Sequence, residues 1–331
     1  MILEVSDLRV GFGRGEGRRD AVDGVSFSVE PGEFFLVIGE SGSGKSLTGG
    51  AIVGLNPPGA SVSGSVRFEG RELLGQPERV LRRVRGRDIG VVYQNPLGAM
   101  NPVWPVGDQI AEAVRIHRGL DRRRAASRAV ELLERVHIPD PQRVAQAYPH
   151  EISGGMRQRA VIAMALACDP KLLIADEPTT ALDVTIKAQI LDLLAELRRD
   201  MNLSVMLITH DMGVVAELAD RVLVMYAGRV AEIGPAAAIL SQPAHPYAEA
   251  LMLSGLSEAP FKTPLEAIPG SAPSIENRPA GCRFHPRCPK AEDDCRRVQP
   301  PLRPVRSTLA ACHHPLEARI ATDTAAAEAA A

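Results

Sequence analysis

An apolar run that leads into a glycine-rich loop constrains the fold of this chain more than any other feature. The residues "EFFLVIGESGSGKS" (33–46) predict a buried strand, a tight loop and the start of a helix. The loop itself, "GESGSGKS" (39–46), has the spacing G-x-x-x-x-G-K-S/T. A chance match in a glycine-rich turn is the alternative interpretation. The strand before the loop and the helix after it argue against chance.

Further apolar runs alternate with helical patterns along the chain. Three runs are apolar nearly throughout, which fits parallel strands covered on both faces. These runs are "DIGVVYQ" (88–94), "KLLIADEP" (171–178) and "LSVMLITHD" (203–211). A helical pattern extends over about 105–145, and "DRVLVMYAGRVAEIG" (220–234) predicts two strands joined by a turn. Strands that alternate with helices predict an α/β fold.

The glycine loop has the composition of a phosphate-binding loop. Its glycines allow backbone N–H groups to point inward, and the helix N-terminus favours negative charge. In this pattern Lys45 reaches the β- and γ-phosphates of a nucleotide, and the Ser46 hydroxyl binds Mg²⁺. The residues predicted to bind the nucleotide here are Gly39, Glu40, Ser41, Gly42, Ser43, Gly44, Lys45 and Ser46.

Two acidic residues end the run "LLIADEP" (172–178). Asp176 and Glu177 stand at the C-terminal end of a predicted strand, where α/β sheets bind ligands. Asp176 can hold Mg²⁺ directly or through water, and Glu177 can orient and polarise an attacking water. Two solvated acids at an exposed strand end are the alternative. The phosphate loop elsewhere in the chain favours the catalytic interpretation.

A second glycine-containing turn occurs in "HEISGGMRQRA" (150–160). Ser153, Gly154 and Gly155 would expose backbone N–H groups at a helix start, where a γ-phosphate can bind. A serine N-cap followed by flexible glycines is the alternative. Spacing alone leaves both interpretations open.

Composition narrows the class of protein. The chain has 331 residues, is 45% hydrophobic and 24% charged, and has a formal net charge of −2. This charge implies no bulk attraction to nucleic acid, so the basic runs at 82–88 and 121–124 are interpreted as solvated helix faces. No signal peptide is visible, and the longest apolar runs are too short to span a membrane. We therefore expect a soluble, cytosolic chain.

The cysteines are concentrated near the C-terminus with the spacing C-x5-C-x6-C-x16-C. In a cytosolic protein such a group favours metal ligands over disulfides. The spacing lacks the close cysteine pairs of common zinc and iron–sulfur sites, so it leaves the metal open. His285, His313 and His314 are possible alternative ligands, whereas Cys168 is expected in the core. The four cysteines are Cys282, Cys288, Cys295 and Cys312.

The motifs together resemble the ATP-binding-cassette (ABC) ATPases. "ISGGMRQR" (152–159) is similar to the signature motif of that family, with Ile152 where leucine is usual. Gln94 resembles the Q-loop residue, "ALD" (181–183) the D-loop, and His210 the switch histidine. The resemblance implies a RecA-like core with an antiparallel β subdomain and a helical subdomain at about 95–150.

The resemblance also implies roles for individual residues. Phe12 would stack on adenine, although an ordinary core residue is the alternative for it. Gln94 would contact Mg²⁺ or water, and His210 would contact the γ-phosphate and stabilise the geometry of hydrolysis. Two domains of the family pair head to tail, so Ser153, Gly154 and Gly155 would act on the ATP of a partner subunit. The partner is a copy of this chain or a paralogue.

Several stretches along the chain resemble the peptide and nickel importer branch of these ATPases. The matching stretches are 94–103, 181–191, 242–252 and 268–288. We therefore predict a nucleotide-binding domain at 1–235, a Pro/Cys-rich extension at 236–318 and a disordered Ala-rich tail at 319–331. Similar tails in this branch hold a 4Fe–4S cluster, which the resemblance favours over zinc or free thiols at the four cysteines.

The predicted function is ATP hydrolysis that drives peptide import. The resemblance implies the cytoplasmic face of the membrane, two transmembrane permease subunits and an external solute-binding protein. The cofactors would be ATP, Mg²⁺ and the cluster. A soluble ABC protein of translation, repair or cluster assembly, and a scaffold that binds ATP without hydrolysing it, are the alternatives. The single cassette and the intact Glu177 and His210 argue against them.

Overall fold

The computed structural model describes residues 1–180, 182–255 and 268–318. Its strands are β1 (Leu3–Phe12), β2 (Arg19–Val29), β3 (Phe34–Ile38), β4 (Ser61–Phe68), β5 (Arg71–Glu72), β6 (Ile89–Val92), β7 (Leu172–Asp176), β8 (Ser204–Thr209), β9 (Arg221–Tyr226), β10 (Arg229–Pro235), β11 (Arg303–Val305) and β12 (Thr308–Ala310). Its helices are α1 (Lys45–Ile52), α2 (Glu78–Val84), α3 (Pro96–Ala99), α4 (Val106–Arg118), α5 (Arg122–Arg135), α6 (Pro141–Gln146), α7 (Gly154–Ala165), α8 (Val184–Met201), α9 (Met212–Leu218), α10 (Ala236–Ser241), α11 (Pro246–Gly255) and α12 (Asp293–Arg297). Short 3-10 turns lie at Gly15–Gly17, Pro149–Glu151 and His285–Arg287.

A central sheet carries the apolar runs of the sequence. Its order is β11-β12-β10-β9-β3-β8-β7-β6. The five strands from β9 to β6 pair in parallel, which confirms the predicted α/β fold. The C-terminal ends of β3, β7 and β8 therefore meet at one edge, where a ligand site of an α/β fold is expected.

The burial of the β3 side chains shows that the central sheet is covered on both faces. Phe34, Leu36 and Ile38 belong to the core formed with the helices. Phe35 and Val37 point to the other face and pack in the core under the antiparallel sheet. Each of these side chains is at most 1% exposed. A strand buried on both faces needs an unbroken apolar sequence, as "FFLVI" has.

The second layer is an antiparallel sheet with the order β2-β1-β4-β5. The helices α4, α5, α6 and α7 contact one another and form a helical unit. Both units are implied by the family resemblance, and α4 to α6 fall within the predicted helical segment at 105–145. In the part of the chain that the structure describes, no helix combines the length and apolar character that a membrane span requires.

The described part of the C-terminal extension packs on the same core as the rest of the chain. The predicted boundary at 235/236 falls between β10 and α10. Helices α10 and α11 contact α9, and β12 pairs antiparallel with β10. Tyr247 and Phe284 lie in the core shared with the central sheet. The predicted tail at 319–331 lies outside the described residues.

Candidate functional site: a phosphate loop and a cysteine segment

The glycine loop connects β3 to α1 at the edge where the parallel strands end. Gly44 is the N-cap of α1 with a φ of 101°, and Gly39 has a φ of 147°. A Cβ atom on Gly39 would lie 2.2 Å from the carbonyl oxygen of Met225. Both positions therefore require glycine, because of the backbone conformation and, at Gly39, a close approach of β9.

Lys45 and Ser46 begin α1 and turn toward the end of β7. The Lys45 side chain is buried and its Nζ donates to the carbonyl oxygens of Gly39 at 2.7 Å and Glu40 at 3.0 Å. The Ser46 Oγ donates to Asp176 Oδ1 at 3.0 Å. The hydroxyl and the carboxylate predicted to bind Mg²⁺ are thus adjacent.

Glu177 is the centre of a small polar network. Gln94 Nε2 and Thr180 Oγ1 donate to Glu177 Oε2 at 3.1 and 2.8 Å. His210 Nδ1 lies 3.4 Å from Glu177 Oε1. The Glu177 N–H donates to the Ile208 carbonyl at 2.9 Å, and the residue has a φ of 46°, which is uncommon for a residue other than glycine. The hydrogen bond to β8 thus holds Glu177 in an unusual backbone conformation.

Burial shifts the pKa of two groups in this site. It lowers the pKa of Lys45, while Glu177, Asp176 and Glu40 act in the opposite direction. It raises the pKa of Asp176, against the hydrogen bond from Ser46. Both charged forms are therefore disfavoured by poor solvation. Binding of Mg²⁺ and phosphate would return counter-charges to these groups.

A cavity of about 940 Å³ joins most of the predicted nucleotide residues. The predicted residues on its wall are Phe12, Ser41, Gly42, Gly44, Lys45, Ser46, Gln94, Glu177 and His210. The C-terminal extension supplies part of the wall through Ala272, Pro273, Ser274, Ile275 and Arg278. The Arg278 Nη2 donates to the Ala21 carbonyl at 2.8 Å, which anchors this segment beside the cavity.

Glu40 differs from the other loop residues. Its N–H donates to the Tyr247 hydroxyl at 2.8 Å, and its carboxylate pairs with Arg287 at 2.6 and 2.9 Å. Glu40 thus contacts the C-terminal extension, whereas the sequence pattern placed it with the phosphate-binding residues. Only the tertiary structure brings these groups together, since both partners of Glu40 lie more than 200 residues away in sequence.

The signature motif lies outside this cavity. The Ser153 side chain accepts from the Met156 N–H at 3.2 Å and caps α7, which Gly154 begins. This geometry is the N-cap that the sequence offered as one interpretation, and it leaves an exposed helix start. Of the predicted D-loop, Ala181 lies outside the described residues, while Asp183 caps α8 by accepting from Ile186 N–H at 2.9 Å.

The four cysteines of the extension come together in the described structure. Burial raises the pKa of Cys312 to about 12, and the other three thiols act in the same direction. Burial also raises the pKa of Cys282, Cys288 and Cys295. The thiols are therefore protonated at neutral pH unless a cation is bound. Cys168 is separate and buried in the core, as expected from the sequence.

Hydrogen bonding to backbone N–H groups lowers the pKa of each of these thiols, against the larger effect of burial. The donors are Phe284 and His285 for Cys282, Lys290 for Cys288, Glu292 for Cys295 and His314 for Cys312. Such hydrogen bonds favour the thiolate form that a metal requires. The donor set and its surroundings thus fit a thiolate-bound metal group.

A further set of donors adjoins the cysteines. Asp294, Cys295 and His314 have ligand atoms that all lie within 4.8 Å of one another. Among the described residues this is the one group of three donors so close together. The His314 Nε2 lies 2.9 Å from Asp294 Oδ1. The sequence pattern identified His314 as a possible ligand and missed Asp294.

Sequence reasoning also missed the contacts made by the extension. Thr180, Tyr247 and Arg287 touch site residues, and 272–275 line the cavity. Thr180 carried a local signal, because it closes the turn after "DEP". The others carried none, because they are distant in sequence and lie in no recognisable chemical pattern.

Two family models match the chain. The model for "ABC transporter" matches residues 22–180, and that for "Oligopeptide/dipeptide transporter, C-terminal region" matches residues 231–295. The first match contains the phosphate loop, the signature motif and Glu177. The second contains three of the four clustered cysteines and Arg287.

Curated relatives match nearly the whole chain. A dipeptide transport ATP-binding protein of Haemophilus influenzae is 46% identical, with 95% of this chain and 96% of that protein covered. An oligopeptide transport ATP-binding protein of Salmonella typhimurium is 45% identical, with 96% and 95% covered.

Solved structures match the cassette. The dimeric ATP-binding cassette MJ0796 in a post-hydrolysis state with ADP and Pi has a TM-score of 0.63 and 28% identity, and covers 71% of this chain and 98% of that one. The cbiO1 protein of Clostridium perfringens has a TM-score of 0.61 and 27% identity, with 71% and 88% covered. The near-complete match to curated relatives and the two family models show that this chain belongs to the ABC transporter family of ATP-binding proteins, in the group with the oligopeptide/dipeptide transporter C-terminal region.

Proposed function

We propose that this chain is the ATP-hydrolysing subunit of an importer that carries peptides across the cytoplasmic membrane. One observation supports the ATPase activity most directly: the phosphate loop, Asp176 and the Glu177 network meet at one edge of the parallel sheet. The transport role is supported by relatives named for dipeptide and oligopeptide transport over nearly the same length.

In the proposed site, ATP occupies the cavity between Phe12 and the Glu177 network. Phe12 stacks on the adenine. The loop from Gly39 to Ser46 surrounds the phosphates with N–H groups. The Glu40 N–H is an exception, because it donates to the Tyr247 hydroxyl. Lys45 neutralises the β- and γ-phosphates. Ser46, Asp176 and Gln94 bind Mg²⁺ directly or through water.

Hydrolysis requires a water molecule in line with the γ-phosphorus. The water oxygen forms a bond to phosphorus, the bond from phosphorus to the β,γ-bridging oxygen breaks, and ADP leaves with the electron pair. Glu177 orients the water and receives its proton, which passes on to phosphate or solvent. Gln94 and Thr180 hold one carboxylate oxygen, so the other is free to face the water and His210.

The proposed working unit contains two cassettes. Ser153, Gly154 and Gly155 lie at an exposed helix start outside the chain's own cavity, which supports a role at the ATP of a partner cassette. The partner is a second ABC ATPase, identical or paralogous. Two permease subunits and an external solute-binding protein complete the proposed assembly, with this chain at the cytoplasmic face of the membrane.

The cysteine segment is proposed to hold a 4Fe–4S cluster through Cys282, Cys288, Cys295 and Cys312. Four converging thiols with backbone N–H donors support this assignment. A single zinc ion with Zn–S bonds of about 2.3 Å would require sulfur atoms about 3.8 Å apart. Among the described residues, no three of these thiols meet the 4.8 Å spacing that Asp294, Cys295 and His314 meet, which favours the larger cluster. When bound, the cluster would supply a redox-active, structure-bearing group.

The test is to purify the complex through a tag on this chain and reconstitute it in vesicles with its solute-binding protein. Uptake of labelled dipeptides and oligopeptides and ATP hydrolysis are measured together. Glu177→Gln should reduce turnover roughly 100-fold to 10,000-fold, because it removes the base, while ATP binding remains. Glu196→Gln, on the surface of α8, serves as the matched control.

The outcomes separate the two parts of the proposal. Hydrolysis retained by the Glu177→Gln variant would overturn the assignment of the base. Hydrolysis by a chain that is absent from membranes and copurifies with no permease would overturn the transport function and leave the ATPase intact.

A further inference from the structure

The guanidinium of Arg287 makes an unusually complete set of contacts between the extension and the phosphate loop. Nη1 and Nη2 donate to the two carboxylate oxygens of Glu40 at 2.6 and 2.9 Å. Nε donates to the Pro269 carbonyl at 2.8 Å, and Nη2 also reaches that of Ile268 at 3.2 Å. Nη1 lies 3.3 Å from the Tyr226 hydroxyl. The planar fork is therefore saturated with acceptors.

The pair between Arg287 and Glu40 is poorly exposed to water. The Arg287 side chain is 6% exposed and the Glu40 side chain 27%. Arg287 also stacks on the Tyr226 ring, with its guanidinium carbon 5.8 Å from the ring centre. A bidentate pair in such surroundings holds its geometry better than a surface ion pair, which contributes little.

Glu40 occupies a sensitive position in the phosphate loop. It follows Gly39, and its carbonyl oxygen accepts a hydrogen bond from Lys45 Nζ at 3.0 Å. Its N–H is held by Tyr247, a buried residue of α11. The residue is thus held on three sides, and two of its partners come from the extension.

The charge of Glu40 is unfavourable for a site that binds triphosphate. Its carboxylate is close enough to Lys45 to affect the pKa of that group. Without a partner it would repel the phosphates and compete with them for Lys45. Arg287 neutralises this carboxylate, and neither residue of the pair lines the cavity.

We propose that Arg287 is a positioning residue for ATP: through its bidentate pair with Glu40, the cysteine-containing extension holds the phosphate loop in its binding conformation and cancels the charge beside it. The inference rests on the proposed ATP site. It adds a contribution from the same chain's C-terminal segment to a site whose known motifs all lie in the cassette.

The experiment measures binding of a fluorescent ATP analogue with Mg²⁺ to the full chain. Arg287→Met should weaken binding about tenfold or more, because it leaves the Glu40 carboxylate unpaired and the loop unbraced. Arg287→Lys should fall between Arg287→Met and the unchanged chain, since lysine restores the charge without the fork. Arg303→Met is the matched control. Arg303 donates to the carbonyls of Cys312 and His313 and touches no residue of the phosphate loop, so its loss should leave binding unchanged.

A double-mutant cycle with Glu40→Gln distinguishes positioning from general stability. If Arg287 acts through Glu40, Arg287→Met should add little to the effect of Glu40→Gln, since the pair is already broken. Equal losses from Arg287→Met with and without Glu40→Gln would overturn the inference, as would equal losses from Arg303→Met. Circular dichroism melting verifies that each variant is folded, and Arg287→Lys carries the test if Arg287→Met is not.

Failure of the inference differs from failure of the proposed function. If the unchanged chain does not bind the analogue, the ATP site and this inference both fail. If the chain binds it and Lys45→Ala weakens binding about 100-fold while Arg287→Met does not alter it, only the inference fails.

Discussion

The nucleotide cavity and the cysteine segment (282–314) lie against the same central sheet but are stabilised by different forces. Around the cavity, the apolar strand β3 is buried along its length and contains no polar residue. In the cysteine segment the elements are short, and few apolar side chains are buried there. The buried apolar residues in this segment include Phe284, Cys295, Ala310, Ala311 and Cys312.

This difference shows which interactions fix the geometry of each region. The geometry of the cavity is set by a sheet that apolar burial makes rigid, so the polar residues that line the cavity need not stabilise the fold. The cysteine segment depends on specific polar links, such as those from Arg283 and Arg287 to the cassette, and on its own thiols. A change of one residue should therefore affect the two regions in different ways.

The largest expected effect comes from Lys45→Ala. ATP binding should weaken about 100-fold, because charged hydrogen bonds to the phosphates are lost. The melting temperature should fall by at most a few degrees, since burial lowers the pKa of Lys45 and disfavours its charge, while the loss of its hydrogen bonds to Gly39 and Glu40 acts in the opposite direction. Isothermal titration calorimetry and thermal melting check both parts. A strong drop in melting temperature would contradict this comparison, because it would show that a polar residue of the cavity stabilises the fold.

An intermediate effect is expected from Cys288→Ser. Iron and sulfide should fall from about four of each per chain to near zero in anaerobically purified protein, and its brown colour should be lost. Hydrogen exchange should rise in 282–314 and stay low in β3. Cys168→Ser, which changes a core cysteine, should leave metal content unchanged. Colourless protein loaded with zinc would rule out the cluster.

The smallest expected effect is that of Asp176→Asn on the nucleotide-free chain. The pKa of Asp176 is raised by burial, so its ionised form destabilises the fold above that pKa, and the destabilisation vanishes as pH falls toward the pKa of the unfolded chain. The variant should thus melt a few degrees higher than the unchanged chain at pH 7, with a difference that shrinks in acid.

With saturating ATP and Mg²⁺, the Asp176→Asn variant should instead melt at a lower temperature than the unchanged chain, because asparagine binds Mg²⁺ less well. Differential scanning fluorimetry over pH measures both effects. A lower melting temperature of the nucleotide-free variant at pH 7 would show that Asp176 supports the fold and would make the two regions more alike.

The sequence by itself determined the fold class and most of the cavity. The strand–loop–helix unit and the acids at the end of β7 were predicted from local patterns, whereas Gln94 and His210 were implied by the family resemblance. The structure brings Gln94, Glu177 and His210 together. Local patterns can place such residues because backbone conformation and strand ends are local properties. The sheet then places strand ends side by side, which makes the local patterns sufficient.

Only the tertiary structure decided how the extension meets the cassette. The pairing of Arg287 with Glu40, the hydroxyl of Tyr247 on the loop and the wall at 272–275 join positions far apart in sequence. An arginine between two cysteines is compatible with many surroundings, so no pattern identifies its partner. Its role is set by which carboxylate the folded chain brings within reach, and that depends on the packing of the whole molecule.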